Sequence, residues 1–277
     1  MFFSMYKLIN NEIQAVEDSS LNARAAKYGD GFFETISASE KNLFLFDYHY
    51  ERIIKSFRYL YFTEDSLPSE HQLESFLRQQ LQANLFKKSR INLQFFRDAS
   101  GYYTPSSNQA AFTTSIVDLT PTVQQQETYT IGIYTENKKY ANPLSEIKSS
   151  NALISVLAAT WKAMTGIDDA ILLNAEGNIC EATASNIFIV KNNKIYTPPL
   201  RDAPIDGVMR RYLIECLLEK DIPIIEKSLK DNELFEADEV FLSNTISKIQ
   251  SVTSFGELIK YGTAFTKEIK ELLDIEA

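Results

Sequence analysis

The chain has 277 residues, with 28 lysines and arginines against 37 aspartates and glutamates, and a formal net charge of −9. This acidic balance argues against nucleic acid as a partner, because phosphate backbones are bound by basic surfaces. Two cysteines and two histidines cannot supply a disulfide framework or a metal centre rich in these residues, so we expect no metal site. No apolar run reaches the roughly 18 residues of a membrane span, and no secretory pattern begins the chain. The composition predicts a soluble cytoplasmic protein without a membrane partner.

In the first half of the chain, strand patterns alternate with helical ones. The opening segment 1–9 and the run after the turn dipeptide Asp30-Gly31 are rich in aromatic and aliphatic residues, which is typical of strands. From Phe46 apolar residues recur at helical spacing, which predicts a helix with Asp47 as its N-cap. One more helix and two strands are expected, at residues 68–86, 91–97 and 111–119.

A domain boundary is predicted near residue 120, because segment 119–128 is polar, rich in glutamine and without periodicity. It divides the chain into an N-terminal lobe, 1–120, and a C-terminal lobe, 121–277. Helices are expected in the second lobe at about 151–164, 207–220 and 268–275, and strands at 129–135, 168–174, 178–182, 186–190, 194–198, 222–228, 237–244 and 246–252. Many of the turns are short enough for hairpins, so the predicted class is α/β with α+β character and not a purely parallel sheet.

Two charged residues occupy unusual positions in this pattern. Lys148 lies in an irregular segment directly ahead of an apolar helix (EIKSSNALISVLAA), where a lysine taken alone would be an ordinary solvated side chain. Glu181 lies between apolar strands (NICEATASNIFIV). Its carboxylate is therefore expected to be partly buried and to need a cationic or protonated partner.

Three further segments carry groups suited to phosphate. Gly207–Met209 begin a predicted helix, whose N-terminal N–H groups and dipole attract anions. Asn244–Thr245, in a turn between two strands, add N–H and hydroxyl donors. Arg52 lies on the same helix face as His49 and Ser56, at spacings of three and four residues. Together with the lysine and the glutamate, these groups meet the needs of one cofactor: a Schiff-base lysine, a carboxylate for a pyridinium nitrogen, and a phosphate cradle.

Seven segments in order resemble the fold-type IV pyridoxal-phosphate enzymes, the class IV aminotransferase superfamily. They are NARAAKYGDGFFET, HYERIIKS, IKSSNAL, GIDDAILLNAEGNICEATASNIFIV, IYTPPL, DGVMRR and ADEVFLSNTISKIQSV. The resemblance implies a two-lobed fold, with a smaller N-terminal α/β lobe and a larger C-terminal lobe of mixed sheets. It also implies pyridoxal 5'-phosphate as cofactor, a small-molecule amino substrate and a homodimer.

The resemblance assigns roles to the matching residues. Lys148 matches the lysine that holds the cofactor covalently and then moves protons on the substrate. Glu181 matches the carboxylate facing the pyridine nitrogen, and Arg52 matches the arginine that binds the cofactor phosphate. The other implied cofactor-binding residues are Asn186, Gly207, Val208, Met209, Asn244 and Thr245. We assign Arg97 and Tyr28 to substrate binding and expect a structural role for His49.

Several positions distinguish the activities within the family. Branched-chain aminotransferases typically have a tyrosine five residues after the lysine, where this chain has Leu153. D-amino-acid aminotransferases carry an Arg-x-His carboxylate trap, whereas no histidine follows Arg97 here, which disfavours that activity. The helix start GVMR resembles the GIMR of aminodeoxychorismate lyases, although the loop RDASGYYTPSS lacks the second arginine of those enzymes. The cation for a substrate carboxylate is left open among Arg97, Lys138 and Lys139.

The leading hypothesis is a lyase that cleaves 4-amino-4-deoxychorismate to 4-aminobenzoate and pyruvate for folate synthesis. The alternative is an amino-acid transaminase of the branched-chain type, with 2-oxoglutarate as acceptor. A non-catalytic protein that keeps the fold would bind no cofactor. We expect an enzyme, because the lysine, the glutamate and the arginine that the cofactor requires occur together.

Overall fold

The computed structural model describes residues 5–16, 22–40, 42–84, 86–120 and 126–275. The contacts within the chain define two units, which are Met1–Val123 with Ile147–Asn151, and Gln124–Glu146 with Ala152–Ala277. The segment Ile147–Asn151 thus returns to the first unit, a crossing that the predicted division at residue 120 does not include. Residues 1–4 of the predicted first strand and 121–125 of the predicted linker lie outside the described residues. None of the described helices combines the length and the apolar character of a membrane span.

The first unit is built on one antiparallel sheet with strand order β2-β1-β6-β5-β3-β4. A short 3-10 helix, Glu64–Ser66, precedes its third α-helix. Its strands and α-helices are β1 (Met5–Ile9), β2 (Glu12–Val16), α1 (Asn22–Tyr28), β3 (Gly31–Ser39), β4 (Asn42–Leu43), α2 (Phe46–Tyr59), α3 (Glu70–Gln82), β5 (Lys88–Arg97) and β6 (Ala110–Asp118).

The core of this unit is formed by the side chains that recur at strand spacing along β3 and at helical spacing along α2. Alternate side chains of β3 are fully buried, among them Phe32, Glu34 and Ile36, because successive residues of a strand point to opposite faces. Helix α2 contributes Ile53 and Phe57, which are buried with the apolar strand residues in one cluster. A carboxylate therefore occupies a position in β3 that its neighbours in the pattern fill with apolar side chains.

The second unit contains two mixed sheets, with strand orders β12-β11-β10-β13-β14 and β16-β15-β7-β8-β9. Parallel pairs occur between β11 and β12, β15 and β7, and β7 and β8. Its strands and α-helices are β7 (Thr130–Lys139), α4 (Leu153–Thr165), β8 (Asp169–Asn174), β9 (Ile179–Ala182), β10 (Asn186–Lys191), β11 (Lys194–Thr197), α5 (Val208–Glu219), β12 (Ile224–Glu226), α6 (Asn232–Phe235), β13 (Glu239–Asn244), β14 (Lys248–Val252), β15 (Ser254–Phe255), β16 (Ile259–Lys260) and α7 (Ala264–Leu272).

The structure corrects some details of the predicted elements. Asp47 is not an N-cap: Leu45 occupies that position with a left-handed backbone (φ 53°), and Asp47 lies in the first turn, where its charge suits the helix dipole. The helix expected at 68–86 is shorter, because Ser69 and Gln72 form a capping box that begins it at Glu70. Helices α1 and α6 were not predicted, since each spans two turns or fewer and shows little period.

Candidate functional site

Lys148 is held by its backbone against β3 of the first unit. Its carbonyl oxygen accepts a hydrogen bond from the N–H of Phe33 at 2.9 Å, and the N–H of Ser150 donates to the carbonyl of Gly31 at 2.9 Å. The half-buried Lys148 side chain places Nζ 4.5 Å from the centroid of the Phe33 ring. The amine is therefore carried by a segment that β3 fixes at the lysine and directly after it.

Gly31 is required where it stands. A Cβ there would lie 2.3 Å from the carbonyl oxygen of Phe95 on the neighbouring strand, which no side chain tolerates. The absence of a side chain lets β3 begin at this residue and receive the Lys148 segment through the Gly31 carbonyl.

Glu34, His49 and Arg52 form a buried cluster, in which Glu34 directly follows Phe33, the residue bonded to Lys148. Arg52 donates from Nε to Glu34 Oε1 at 2.8 Å and from a terminal nitrogen to Oε2 at 2.6 Å, which makes the pair bidentate. His49 Nδ1 lies 2.7 Å from Glu34 Oε2. Glu34 and His49 are 0% exposed and Arg52 is 5% exposed. The predicted helix face of Arg52 and His49 is therefore confirmed, and Glu34 is the partner that the sequence reading missed.

Opposing effects set the charges of this cluster. Burial alone would raise the pKa of Glu34, but the Arg52 guanidinium and the hydrogen bonds from Arg52 and His49 hold that pKa at about 2. Burial lowers the pKa of His49, and the charges of Arg52 and Lys148 lower it further, although Glu34 opposes them. Glu34 is thus ionised and His49 neutral, so Nδ1–H is the donor. His49 Nε2 then carries a lone pair, and it is buried without a hydrogen-bond partner among the residues that the structure describes.

Arg97, a predicted substrate-binding residue, is engaged by the protein through all three of its nitrogens. Nε donates to Asp30 at 3.0 Å, one terminal nitrogen to Asn108 Oδ1 at 2.7 Å, and the other to the carbonyl of Leu60 at 2.6 Å. The guanidinium also lies over the ring of Phe62, 4.5 Å from its centroid. The substrate role of Arg97 stays a prediction, and a substrate carboxylate would compete with these contacts.

Tyr28, the other predicted substrate-binding residue, lies beside a second buried arginine. The guanidinium carbon of Arg24 is 5.2 Å from the Tyr28 ring centroid, and the Tyr103 ring is 5.5 Å from it. Arg24 donates to Asp30 at 2.8 Å and to backbone carbonyls of the loop at 98–107. Asp30 therefore joins both arginines, and Tyr28 belongs to a cluster that fastens this loop.

In the second unit, Glu181 has the cationic partner that its burial requires. Lys139 Nζ donates to Glu181 Oε1, and the N–H of Ile205 donates to Oε2 at 2.8 Å. Glu181 is 5% exposed. Lys139, one of the candidate cations for a substrate carboxylate, is thus the counter-ion of the glutamate. The sequence predicted a cationic partner for Glu181 but did not identify Lys139 as that partner.

The N-terminus of α5 is a second feature of this unit. Gly207 is the N-cap, it supplies no side-chain cap, and the first turn holds no acidic residue. A Cβ on Gly207 would lie 2.0 Å from Oδ1 of Asn186, so the close approach of these two residues requires glycine. The Asn186 amide donates to the carbonyl of Ser243 at 2.8 Å. Predicted residues Asn186, Gly207 and the buried Val208 and Met209 therefore meet at one end of the sheet.

Asn244 ends β13, and Thr245 begins the turn that leads to β14. Asn244 Oδ1 accepts from the N–H groups of Ile246 and Ser247 at 2.9 and 2.8 Å, and its amide donates to Ser185 at 3.0 Å. The side chain of Asn244 thus shapes the turn, while Thr245 is 9% exposed directly after it. Lys148, Arg52, Arg97 and Tyr28 belong to the first unit, and the remaining predicted residues belong to the second.

The amino-transferase class IV family profile matches residues 31–255, which include Lys148 and every predicted cofactor-binding residue. The chain belongs to the class IV aminotransferase family. This class IV aminotransferase is 30% identical over 251 residues to a candidate branched-chain-amino-acid aminotransferase of Methanocaldococcus jannaschii, covering 88% of this chain and 86% of the relative. It is 29% identical over 265 residues to the D-alanine aminotransferase of Bacillus licheniformis, covering 90% and 88%.

The fold is also shared with solved structures. A Legionella pneumophila protein described as a candidate 4-amino-4-deoxychorismate lyase superposes on this class IV aminotransferase with a TM-score of 0.85 and 25% identity, covering 96% of this chain and 97% of that one. The predicted family and the mixed α/β fold class are confirmed.

Pyridoxal 5'-phosphate is the cofactor of class IV aminotransferases, and solved structures of this fold hold it. The described residues of the chain fit its chemistry. An uncapped helix N-terminus without nearby acids in its first turn suits a phosphate, a buried ionisable carboxylate suits a ring nitrogen, and a lysine on a fixed backbone suits a covalent attachment. The protein is a pyridoxal-phosphate-dependent enzyme, as the sequence predicted.

Proposed function

We propose that this enzyme is a 4-amino-4-deoxychorismate lyase, which forms 4-aminobenzoate and pyruvate for folate synthesis. The observation that carries the proposal is Leu153, which stands where branched-chain aminotransferases typically have a tyrosine. The helix start GVMR and the similarity to the Legionella protein described as a candidate lyase support the same activity.

Lys148 is the proposed catalytic residue. When bound, the cofactor supplies a ring that accepts electrons from the substrate α-carbon. The neutral Lys148 amine then takes the α-proton at Nζ and can return it elsewhere on the substrate. The backbone bonds of Phe33 and Ser150 to this segment restrict where Nζ can move, which is what proton transfer over a short distance needs.

Glu181 is the proposed partner of the ring nitrogen. Its negative charge favours a protonated ring nitrogen, and a protonated ring is the better electron acceptor. Lys139 and the N–H of Ile205 donate to the two carboxylate oxygens, so each oxygen of the buried glutamate has a partner.

The phosphate of the cofactor is proposed to bind Arg52 and the N–H groups of Val208 and Met209. Asn244 and Thr245 contribute through the turn that Asn244 shapes. Asn186 supports this arrangement by packing against the N-cap glycine, which leaves the start of α5 open. Helix N–H groups and an arginine are the usual donors for a phosphate dianion.

The substrate carboxylates are proposed to meet the cluster of Arg97 and Tyr28. Both residues lie near the loop at 98–107, which Arg24 fastens through backbone carbonyls. Arg97 already donates hydrogen bonds to Asp30, Asn108 and Leu60. It would therefore bind a substrate carboxylate at the edge of its guanidinium or after one of these bonds breaks.

A second copy of the chain is the proposed partner protein, giving a homodimer. Helix α4 buries only Ala158 and exposes a run of apolar side chains, each between 40% and 82% exposed: Leu153, Val156, Leu157 and Met164. Contiguous exposed apolar surface of this kind marks protein contacts. Light scattering on the purified enzyme should give twice the mass of one chain, and a monomer at all concentrations would exclude the dimer.

A transaminase of the branched-chain type is the second candidate, favoured by the identity to the Methanocaldococcus jannaschii protein. Purified enzyme should be assayed in parallel with 4-amino-4-deoxychorismate and with branched-chain amino acids plus 2-oxoglutarate, and also with D-alanine. Release of 4-aminobenzoate that is lost in Lys148→Ala supports the lyase. Transamination without aminobenzoate release overturns it, and a colourless protein in excess cofactor would exclude every one of these activities.

A further inference from the structure

Glu34 is a fully buried charged residue to which the proposed function gives no role. Its side chain is 0% exposed in the core register of β3, between Phe32 and Ile36. An ionised carboxylate in such a place is costly unless it is fully satisfied. Its position therefore calls for a reason beyond the packing of the strand.

The bonds of Glu34 fix a direction as well as a charge. Arg52 uses Nε and one terminal nitrogen on the two carboxylate oxygens, at 2.8 and 2.6 Å, so the guanidinium and the carboxylate share a plane. A guanidinium is a rigid planar fork of N–H donors, so bonds to one edge fix the plane of the whole group. With one edge held by Glu34, the orientation of the opposite edge is fixed.

His49 in turn fixes Glu34. Its Nδ1 is 2.7 Å from Glu34 Oε2, the oxygen that also receives the terminal nitrogen of Arg52. Rotation of the carboxylate would break both bonds at once. His49 and Arg52 are one helical turn apart on α2, while Glu34 is on β3, so the cluster is locked between two rigid elements.

We propose that Glu34 is a positioning residue that orients the Arg52 guanidinium toward the cofactor phosphate, with His49 holding Glu34 in place. The proposal rests on the phosphate role of Arg52 in the proposed function. A merely structural ion pair would stabilise the unit and would not distinguish a phosphorylated ligand from an unphosphorylated one. The ratio of affinities for pyridoxal 5'-phosphate and pyridoxal therefore separates the two roles.

The test is a titration of the full-length apoenzyme with pyridoxal 5'-phosphate and with pyridoxal, followed by the visible absorption of the bound ligand. In Glu34→Gln, the preference for the phosphorylated ligand should fall about tenfold or more, the size expected when one charge-assisted hydrogen bond is lost. Glu34→Asp keeps the charge but withdraws the carboxylate, and it should lower the preference too. Glu74→Gln, which removes the charge from the partly exposed ion pair of Glu74 with Arg78, is the matched control and should leave the preference unchanged.

The Arg52→Lys background shows whether Glu34 acts through the arginine. Adding Glu34→Gln to Arg52→Lys should lower the preference no further, because the guanidinium to be oriented is already gone. Equal losses of affinity for both ligands, or an unchanged preference in folded Glu34→Gln and Glu34→Asp, would overturn the proposal. If Arg52→Lys itself keeps the wild-type preference, the phosphate role of Arg52 fails first, and with it this inference.

Discussion

Two buried carboxylates, one in each unit, are held in different ways. Glu34 receives two bonds from the planar guanidinium of Arg52 and a third from His49, whereas Glu181 receives one bond from the ammonium of Lys139 and one from a backbone N–H. A guanidinium presents a rigid fork, while an ammonium on a four-carbon stem binds as a point charge that can turn. The orientation of the Glu34 carboxylate is therefore fixed, whereas the Glu181 carboxylate can change its orientation and keep its contact with the ammonium.

The difference suits two tasks of the proposed function. A phosphate anchor has to stay in place throughout turnover, so its arginine gains from a partner that locks its plane. A carboxylate that faces the ring nitrogen has to keep its contact with that nitrogen while the ring accepts electrons during the reaction. Lys139 can then move with Glu181 without breaking a bidentate pair.

The largest effect is expected for Glu34→Ala, which should lower the free energy of unfolding by about 3–5 kcal/mol. The reason is that Arg52, 5% exposed, would be left buried without its counter-ion. Urea denaturation followed by circular dichroism measures the loss. In Glu74→Ala, where the pair is 37% and 32% exposed, the change should be below about 1 kcal/mol. Equal losses in both variants would show that burial of the Glu34 cluster does not increase its contribution to the free energy of unfolding.

Glu181→Ala should cost less, about 1–3 kcal/mol, because the Lys139 stem can carry its ammonium to water while the N–H of Ile205 loses one bond. The same denaturation experiment measures it. The enzymatic activity should fall as well, because the proposed partner of the ring nitrogen is removed. A stability loss as large as that of Glu34→Ala would contradict the distinction between a locked and an adjustable carboxylate.

A smaller effect concerns pH. His49 is neutral when folded because burial lowers its pKa from the ordinary 6.5, so below that pH the unfolded chain binds the extra proton and stability falls as the pH is lowered. His49→Gln should remove this part of the slope, at most about 1.4 kcal/mol per pH unit. The Glu34 part has the same sign and acts between pH 4.5 and about 2. Denaturation midpoints from pH 7 to 5 measure the slope.

The second histidine supplies the control for that experiment. His71 is exposed on α3, so His71→Gln should leave the slope unchanged. If His49→Gln and His71→Gln gave the same slope as the wild type, the pH dependence would come from groups outside the Glu34 cluster.

Spacing along the chain predicted much of this architecture. Helical spacing from Phe46 predicted the shared face of His49, Arg52 and Ser56, and all three are buried on α2. The mixed sheets of the second unit followed from turns too short for crossover connections. These features were accessible because neighbours within one or two turns determine them.

The charge partners were not accessible in the same way. Glu34 looks like a solvent-facing residue in FFETI, although its place between Phe32 and Ile36 in the alternation was the available signal. Lys139 on β7 reaches Glu181 on β9, 42 positions away, across the intervening strand β8 and after a register shift in β7 beyond Tyr134 that no local pattern reveals. Partners of this kind depend on sheet register, which tertiary packing sets.

Strand β3 has a consequence for altering this protein. Its residues Gly31 and Phe33 hold the Lys148 segment, and the side chain of Glu34 lies on the opposite face from that of Phe33, so a one-residue insertion between Phe33 and Glu34 would reverse the face of one support relative to the other. The loop at 98–107 supports neither Lys148 nor Arg52 in the contacts described above. Because this loop lies near the residues proposed for substrate binding, changes of substrate range are best sought by substitutions in the loop. The sequence of β3 should be kept unchanged.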